Sequence, residues 1–252
     1  WKLPMDQKVK LLFIIPAHEC NDCLEDTIQN IIKFNKDIEP LFAIHVNNGF
    51  NDFDEQRFTK TNITFMYCQD KMAGVKYESQ LSPILRTYKL AKSKFGEDIE
   101  YVKIFHTSEL FVRHGFYDYI KNYDTSFDPR TDALPERYYP IFQLGVFERT
   151  EHIFYQGVEL GFFSKKIMEH IEHFCYKEMP ISCEQLNYYF NYTPIEEVVM
   201  PTIAMRYAKN VGRNVNVMKD DIENINLEGS LFTLKSIPRD INHPVRVKVR
   251  EL

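Results

Sequence analysis

The chain has 252 residues, 44% of them hydrophobic and 27% charged, which is enough to bury a sizeable core as one domain over 1–252. A formal charge of −5 argues against broad nucleic-acid binding, and no apolar run approaches the roughly 18 residues needed to cross a bilayer. No signal-peptide pattern stands at the start, so a soluble chain is expected. The cysteines Cys20, Cys23, Cys68, Cys175 and Cys183 are odd in number and offer no second pair at zinc-site spacing, which points to reduced thiols. Cys20-Asn-Asp-Cys23 has the redox C-x-x-C spacing, without other support in the sequence.

The apolar run Lys10-Leu-Leu-Phe-Ile-Ile-Pro16 has the pattern of a strand buried on both faces, and so of a parallel sheet. A polar turn over 17–21 precedes a helix over 22–34 with Leu24, Ile28, Ile31 and Ile32 at helical spacing. Residues 40–46 read as a second strand, followed by turn chemistry in Asn47-Asn-Gly-Phe-Asn-Asp52. His18 and Asn47 thus follow the carboxyl ends of two strands, the border of the crevice where α/β sheets hold ligands.

A third strand is expected over 62–67, then an amphipathic helix over 79–93 carrying Leu81, Ile84, Leu85, Tyr88 and Leu90. A fourth strand over 99–106 runs into His106-Thr-Ser-Glu109. Residues 122–140, rich in Asp, Pro, Arg and Tyr, read as a long surface or lid loop. Residues 141–147 and 154–163 read as strands, 165–174 as a helix capped by Ser164, 183–189 as a short helix and 211–217 as a strand. After Gly229, Lys235, Arg239, His243, Arg246, Lys248 and Arg250 gather cations, so an anion site is expected there.

In Asn191–Arg206, Thr193 can serve as N-cap with Pro194 at the first helical position, and Glu196 stands at capping-box spacing from Thr193. Glu196 and Glu197 therefore meet at a helix start, where carboxylates serve either as partners of the helix dipole or as a base.

Phe13-Ile-Ile-Pro-Ala-His-Glu19, a helix, and Ala43-Ile-His-Val-Asn-Asn-Gly-Phe-Asn-Asp52 resemble the nucleotide-sugar-binding half of GT-A glycosyltransferases, over about 1–115. The second half, about 141–252, resembles the core-2/I-branching family of β-N-acetylglucosaminyl- and xylosyltransferases. In that family a P-D-E run opens the helix of the catalytic base, a Thr follows five residues after the Glu, and a terminal Lys lies in an F-x-x-K context. Here Thr202 points back to Glu197 as the base, with Glu196 in the Asp place, while Pro194 stands one residue too far upstream and keeps both carboxylates in play. Phe232-Thr-Leu-Lys235 fits the terminal motif, which implies Lys235 against the donor diphosphate. The family's acidic turn corresponds to Phe105-His-Thr-Ser-Glu109, and Gly157-Val-Glu-Leu-Gly-Phe-Phe-Ser164 to its Gly-Ser segment.

The resemblance implies an α/β, GT-A-like single domain with a mixed, mostly parallel sheet and helices on both faces. It implies an inverting, metal-independent transferase moving a GlcNAc- or xylose-like sugar from a UDP-sugar to a glycan or glycoconjugate hydroxyl, with no cofactor. One acid in the His106–Glu109 turn is too few for a hard cation, so Lys235 with Arg239 or Arg246 is expected to replace a metal. His18, Asn47 and Glu109 join the donor site, and Glu159 is expected to orient the acceptor. Two alternatives stand beside this one: a metal-dependent GT-A transferase using Glu109 and a second acid, and a non-catalytic nucleotide-sugar-binding domain. The expected setting is the bacterial cytoplasm, with peripheral association at the inner face of the membrane, or alternatively the Golgi lumen. The sequence leaves the oligomeric state open.

Overall fold

The computed structural model describes residues 8–18, 20–47, 49–67, 80–128, 134–182, 185, 194–218 and 232–252. Strand β1 (Lys10–Ala17) is the axis of the sheet, pairing in parallel with β2 (Glu39–Val46) on one side and β4 (Ile99–Ile104) on the other. The chain passes from β1 through α1 (Asn21–Phe34) to β2 and outward to β3 (Ile63–Tyr67), then returns through α2 (Leu81–Phe95) to β4. Strand order therefore reverses between β1 and β4, which opens a crevice at their carboxyl ends.

Beyond β4 the strands shorten. Antiparallel β7 (Phe163–Ser164) is followed by β6 (Thr125–Ser126) and β8 (Val211–Gly212), giving the order β3-β2-β1-β4-β7-β6-β8. A second sheet places β10 (Thr233–Lys235) between β5 (Leu110–Phe111) and β9 (Asn216–Met218).

Alternate residues of β1 feed two cores, as period-2 geometry requires. Leu12 and Ile14 pack with α2, with α5 (Lys165–His173) and with α6 (Glu196–Tyr207). Leu11, Phe13 and Ile15 pack with α1, with α3 (Phe116–Ile120) and with the C-terminal α7 (Pro244–Glu251). The fold is thus the expected α/β arrangement, mostly parallel with helices on both faces. Phe13 anchors the second core, its ring 5.9 Å from those of Phe42 and Phe105 and 6.1 Å from that of Phe111. Truncating such a ring to Ala costs about 3–5 kcal/mol.

Elements of the second half depart from expectation. Over 141–147 there is no strand; Pro140 opens the short helix α4 (Pro140–Gln143) with its pre-set φ. Over 154–162 the chain is irregular apart from a 3₁₀ turn at Val158–Leu160, and only Phe163 of the expected strand belongs to one, β7. The Phe154 backbone has no strand partner because Thr202 Oγ1 of α6 both accepts its N–H and donates to its carbonyl, each at 3.0 Å. The strand expected over 211–217 is split into β8 and β9. The expected loop over 122–140 contains β6 and a 3₁₀ turn at Glu136–Tyr138, with 129–133 outside the described residues. Of the helix expected over 183–189, only Gln185 is described.

Helix α6 enters through a tight turn, Glu197 N–H to Pro194 O and Val198 N–H to Ile195 O, each at 3.0 Å, so regular helix begins two residues after Pro194. The expected cap Thr193 lies outside the described residues. Pro201, inside α6, has no N–H to give to the carbonyl four residues back. That carbonyl belongs to Glu197, and the Gln156 N–H takes it at 2.9 Å. A helix-breaking residue thereby docks the 156–160 turn beside the two carboxylates. Among the described residues no helix is long and apolar enough to cross a membrane.

Candidate active site

His18 and Asn47 leave the carboxyl ends of β1 and β2 together, with Asn47 Nδ2 at 3.0 Å from His18 Nδ1. Beside them opens a cleft of about 340 Å³, lined in part by Asn21, Phe50, Asn51, Asp52 and Arg57. The pairing of parallel neighbours fixes this end of the crevice, because the Asn47 N–H also bonds the Ala17 carbonyl at 2.9 Å.

At the end of β4, the His106–Glu109 turn closes through Glu109 N–H to His106 O at 2.9 Å. The Glu109 carboxylate turns inward, fully buried, and meets the equally buried Lys103 Nζ at 3.0 Å. This corrects the expectation of Glu109 in the donor site: a lysine inside an apolar strand requires a countercharge, and Glu109 supplies it. Lys103 Nζ also donates to the Glu159 carbonyl at 2.7 Å, which ties β4 to the 157–161 turn. Burial draws the Lys103 ammonium below its usual range while Glu109 opposes that shift.

His106 is held neutral, its pKa drawn down to about 3 by burial and then by the charges of Lys235, His18, Lys103 and Arg239. Three of these groups, His18, Lys235 and Arg239, were expected as donor ligands from the sequence, and the fold brings them around one imidazole. Lys235 sits at the end of β10, the middle strand of the small sheet, with its side chain largely covered. It forms an ion pair with Glu159, whose carboxylate folds back over Gly157; a Cβ at Gly157 would lie 2.8 Å from Glu159 Oε1. Arg239 Nε donates to Thr107 Oγ1 at 3.1 Å, at the same turn.

Arg246 does not join them. Its side chain is completely enclosed, with Nη1 at 2.7 Å from Asp26 Oδ2, Nε donating to Pro238 O at 2.8 Å and Nη2 to Thr107 O. These bonds make Arg246 a clamp of α7 onto α1, which corrects its expected donor role. His243 of that segment caps α7, its Nδ1 accepting the Val245 N–H at 3.4 Å.

Glu196 and Glu197 part company at the start of α6. Glu196 is buried and its Oε2 accepts the Gln80 N–H at 2.9 Å, fastening the entry of α2. Glu197 is 25% exposed; it accepts the Tyr138 hydroxyl at 2.7 Å and lies 4.0 Å from an Arg137 nitrogen. Tyr138 itself is fully buried, with its phenol pKa raised by burial and by Glu197. Sequence reasoning missed Tyr138, since a tyrosine in a presumed loop carries no signal, and it missed Lys103, whose signal was a charge set between the apolar Val102 and Ile104 of β4. Among the described residues no three His, Cys, Asp or Glu side chains are grouped to hold a metal ion, and Cys20 and Cys23 are reduced thiols rather than a disulfide.

No protein-family model matches the sequence, and no curated protein does. Two solved structures of LgtC share the fold. The galactosyltransferase LgtC, in complex with donor and acceptor sugar analogues, aligns with 95% of this chain and 94% of its own at TM-score 0.52 and 12% identity. An active-site mutant of LgtC aligns over the same shares at TM-score 0.50 and 13% identity. The S. aureus TarS fragment 1–349 covers 90% of this chain and 60% of its own, at TM-score 0.44 and 10% identity. The chain has a GT-A-like fold, similar to that of LgtC over 95% of its length.

Proposed function

We propose that the protein is an inverting glycosyltransferase that moves a sugar from a nucleoside-diphosphate donor to a glycan hydroxyl, with Glu197 as base. The observation that carries the reading is the docking of Gln156 N–H onto the Glu197 carbonyl freed by Pro201. It sets a partly exposed carboxylate beside the turn whose Glu159 is paired with Lys235. Inversion needs a base for the acceptor hydroxyl and positive charge for the departing diphosphate, and these are the two ends of that arrangement.

In this reading Lys235 and Arg239, with His18 beside them, take up the charge that most GT-A enzymes give to a metal. The inward turn of Glu109 supports it, since the acid in the His106–Glu109 loop is already held by Lys103. The fold shared with LgtC, a galactosyltransferase by name, supports sugar transfer at the level of reaction class. A UDP-linked GlcNAc- or xylose-like donor, and membership of the core-2/I-branching family, rest on the spacing of Glu197 with Thr202 and on Phe232 with Lys235.

The test is Glu197→Gln beside Glu196→Gln, with turnover of UDP-sugars and UDP affinity measured separately. Glu197→Gln is expected to cut turnover about 10²-fold or more with UDP binding intact. Glu196→Gln is expected to cost stability and spare the rate, because its carboxylate is spent on the Gln80 N–H. Normal turnover in Glu197→Gln removes the mechanism, and loss of activity in chelator turns the reading to a metal-dependent enzyme.

A further inference from the structure

We propose that Cys20 and Cys23 form a thiol–disulfide exchange site, closed by a low-molecular-weight disulfide, whose oxidation weakens anion binding at Arg239. Cys20 is the N-cap of α1 and holds a left-handed backbone, φ 66°, a conformation that a Cβ disfavours. That bend turns its sulfur over the helix end, where it accepts the Cys23 N–H at 3.3 Å and lies 2.7 Å from Cys23 Sγ. The gap exceeds a disulfide bond of about 2.05 Å by less than about 1 Å. Cys20 lines the cleft beside His18, whereas Cys23 is wholly buried.

Both sulfurs converge on one acceptor. The Cys23 thiol donates to the Arg239 carbonyl, and the Cys20 sulfur lies 3.7 Å from the same oxygen. Arg239 is the residue whose guanidinium bonds Thr107 and faces His106, so the dithiol holds the backbone of a cation assigned to the donor diphosphate. The coupling to anion binding rests on the function proposed above; the exchange chemistry does not.

Exposure assigns the order of events. The Cys20 thiolate, at the positive end of α1, attacks a disulfide RSSR, forming Cys20–S–S–R and expelling RS⁻. Burial and Cys20 push the Cys23 thiol up to about 12, so it keeps its proton until then. It next gives that proton to the expelled RS⁻ and attacks the Cys20 sulfur, expelling a second RS⁻. Two protein thiols are oxidised and one RSSR is reduced to two RSH, the second RS⁻ taking up the proton that Cys20 had lost. The product has no thiol hydrogens to donate, and the Arg239 carbonyl then faces sulfur lone pairs, which displaces the turn carrying the guanidinium.

The experiment equilibrates the full chain in mixtures of reduced and oxidised glutathione. Residual thiols are alkylated, the 20–23 peptide is weighed, and UDP is titrated into the reduced and oxidised forms. We expect a reversible loss of two hydrogens confined to Cys20 and Cys23, and a UDP Kd about tenfold weaker in the oxidised form, the worth of one hydrogen bond to a charged group. Cys20→Ala, with Cys23→Ser as a second variant, is expected to show no redox dependence of UDP affinity. Thiols that stay alkylatable in oxidised glutathione, a glutathione adduct that persists at Cys20, or equal UDP affinity in both forms overturns the proposal. UDP bound by neither form overturns the glycosyltransferase reading and the coupling with it, while the peptide mass decides the exchange site separately.

Discussion

The hydroxyl of Tyr138 donates to the Glu197 carboxylate at 2.7 Å, and the ring behind it is fully buried. Because the ring cannot rotate into solvent, the hydrogen bond holds one carboxylate oxygen and leaves the other for an acceptor hydroxyl. Tyr138→Phe keeps the ring and loses that hold. We expect kcat to fall about 10-fold to 100-fold, the worth of a hydrogen bond to a charged group, with donor KM unchanged. A rise in KM at constant kcat would place Tyr138 in substrate binding instead.

Glu159 and Lys235 compete with a donor for each other. With Glu159 paired to Lys235, an incoming diphosphate must displace a carboxylate before it gains the ammonium. Glu159→Gln is therefore expected to tighten UDP binding, and Lys235→Ala to weaken it by about tenfold or more. Calorimetric titration of UDP checks both signs. If Glu159→Gln leaves UDP affinity alone and raises acceptor KM, the carboxylate serves the acceptor, as its position in the sequence first implied.

The buried pair Lys103–Glu109 gives a stability test independent of activity. Lys103→Met leaves a carboxylate in the core without its countercharge and removes the tie to the Glu159 carbonyl, so a loss of about 3–5 kcal/mol is expected. Adding Glu109→Leu to it is expected to restore most of that loss, since a buried ion pair exchanged for apolar groups is close to neutral. Urea unfolding of the single and double variants checks the sign of the coupling.

Legibility in the sequence followed the physics of each half. Apolar runs in β1 and β2 and the helical spacing of Leu24, Ile28 and Ile31 are signals that local sequence carries in full, so the parallel half was readable. In the second half the strands are two or three residues long and have no period to detect. Their backbone partners are remote: Thr202 serves Phe154, and the carbonyl freed by Pro201 serves Gln156. Helix α7 was hidden because Val245, Val247 and Val249 alternate with Arg246 and Lys248 like a strand, while Arg246, a charged residue, is the one most deeply buried. For the site, charge type was visible and direction was not; Glu196 and Glu197 differ only in which side of the helix start they leave.

Acid stability follows from His45, near the end of β2. Its pKa is drawn down to about 4, first by burial and then by His18 and Arg86, and its Nδ1 lies 3.5 Å from Thr87 Oγ1. In the unfolded chain a histidine titrates near 6.5, so between about pH 4 and 6.5 the unfolded state binds the extra proton. Stability is then full above about 6.5 and declines as pH falls toward about 4, by on the order of 3 kcal/mol from this residue. His106, drawn down to about 3, adds to the decline with the same sign. His45→Gln retains a polar partner for Thr87 and cannot charge, so its urea midpoint is expected to fall less than the wild type's as pH is lowered through this window. Parallel curves for the two proteins would show that His45 is protonated in the folded state and would discard this account of the acid limb.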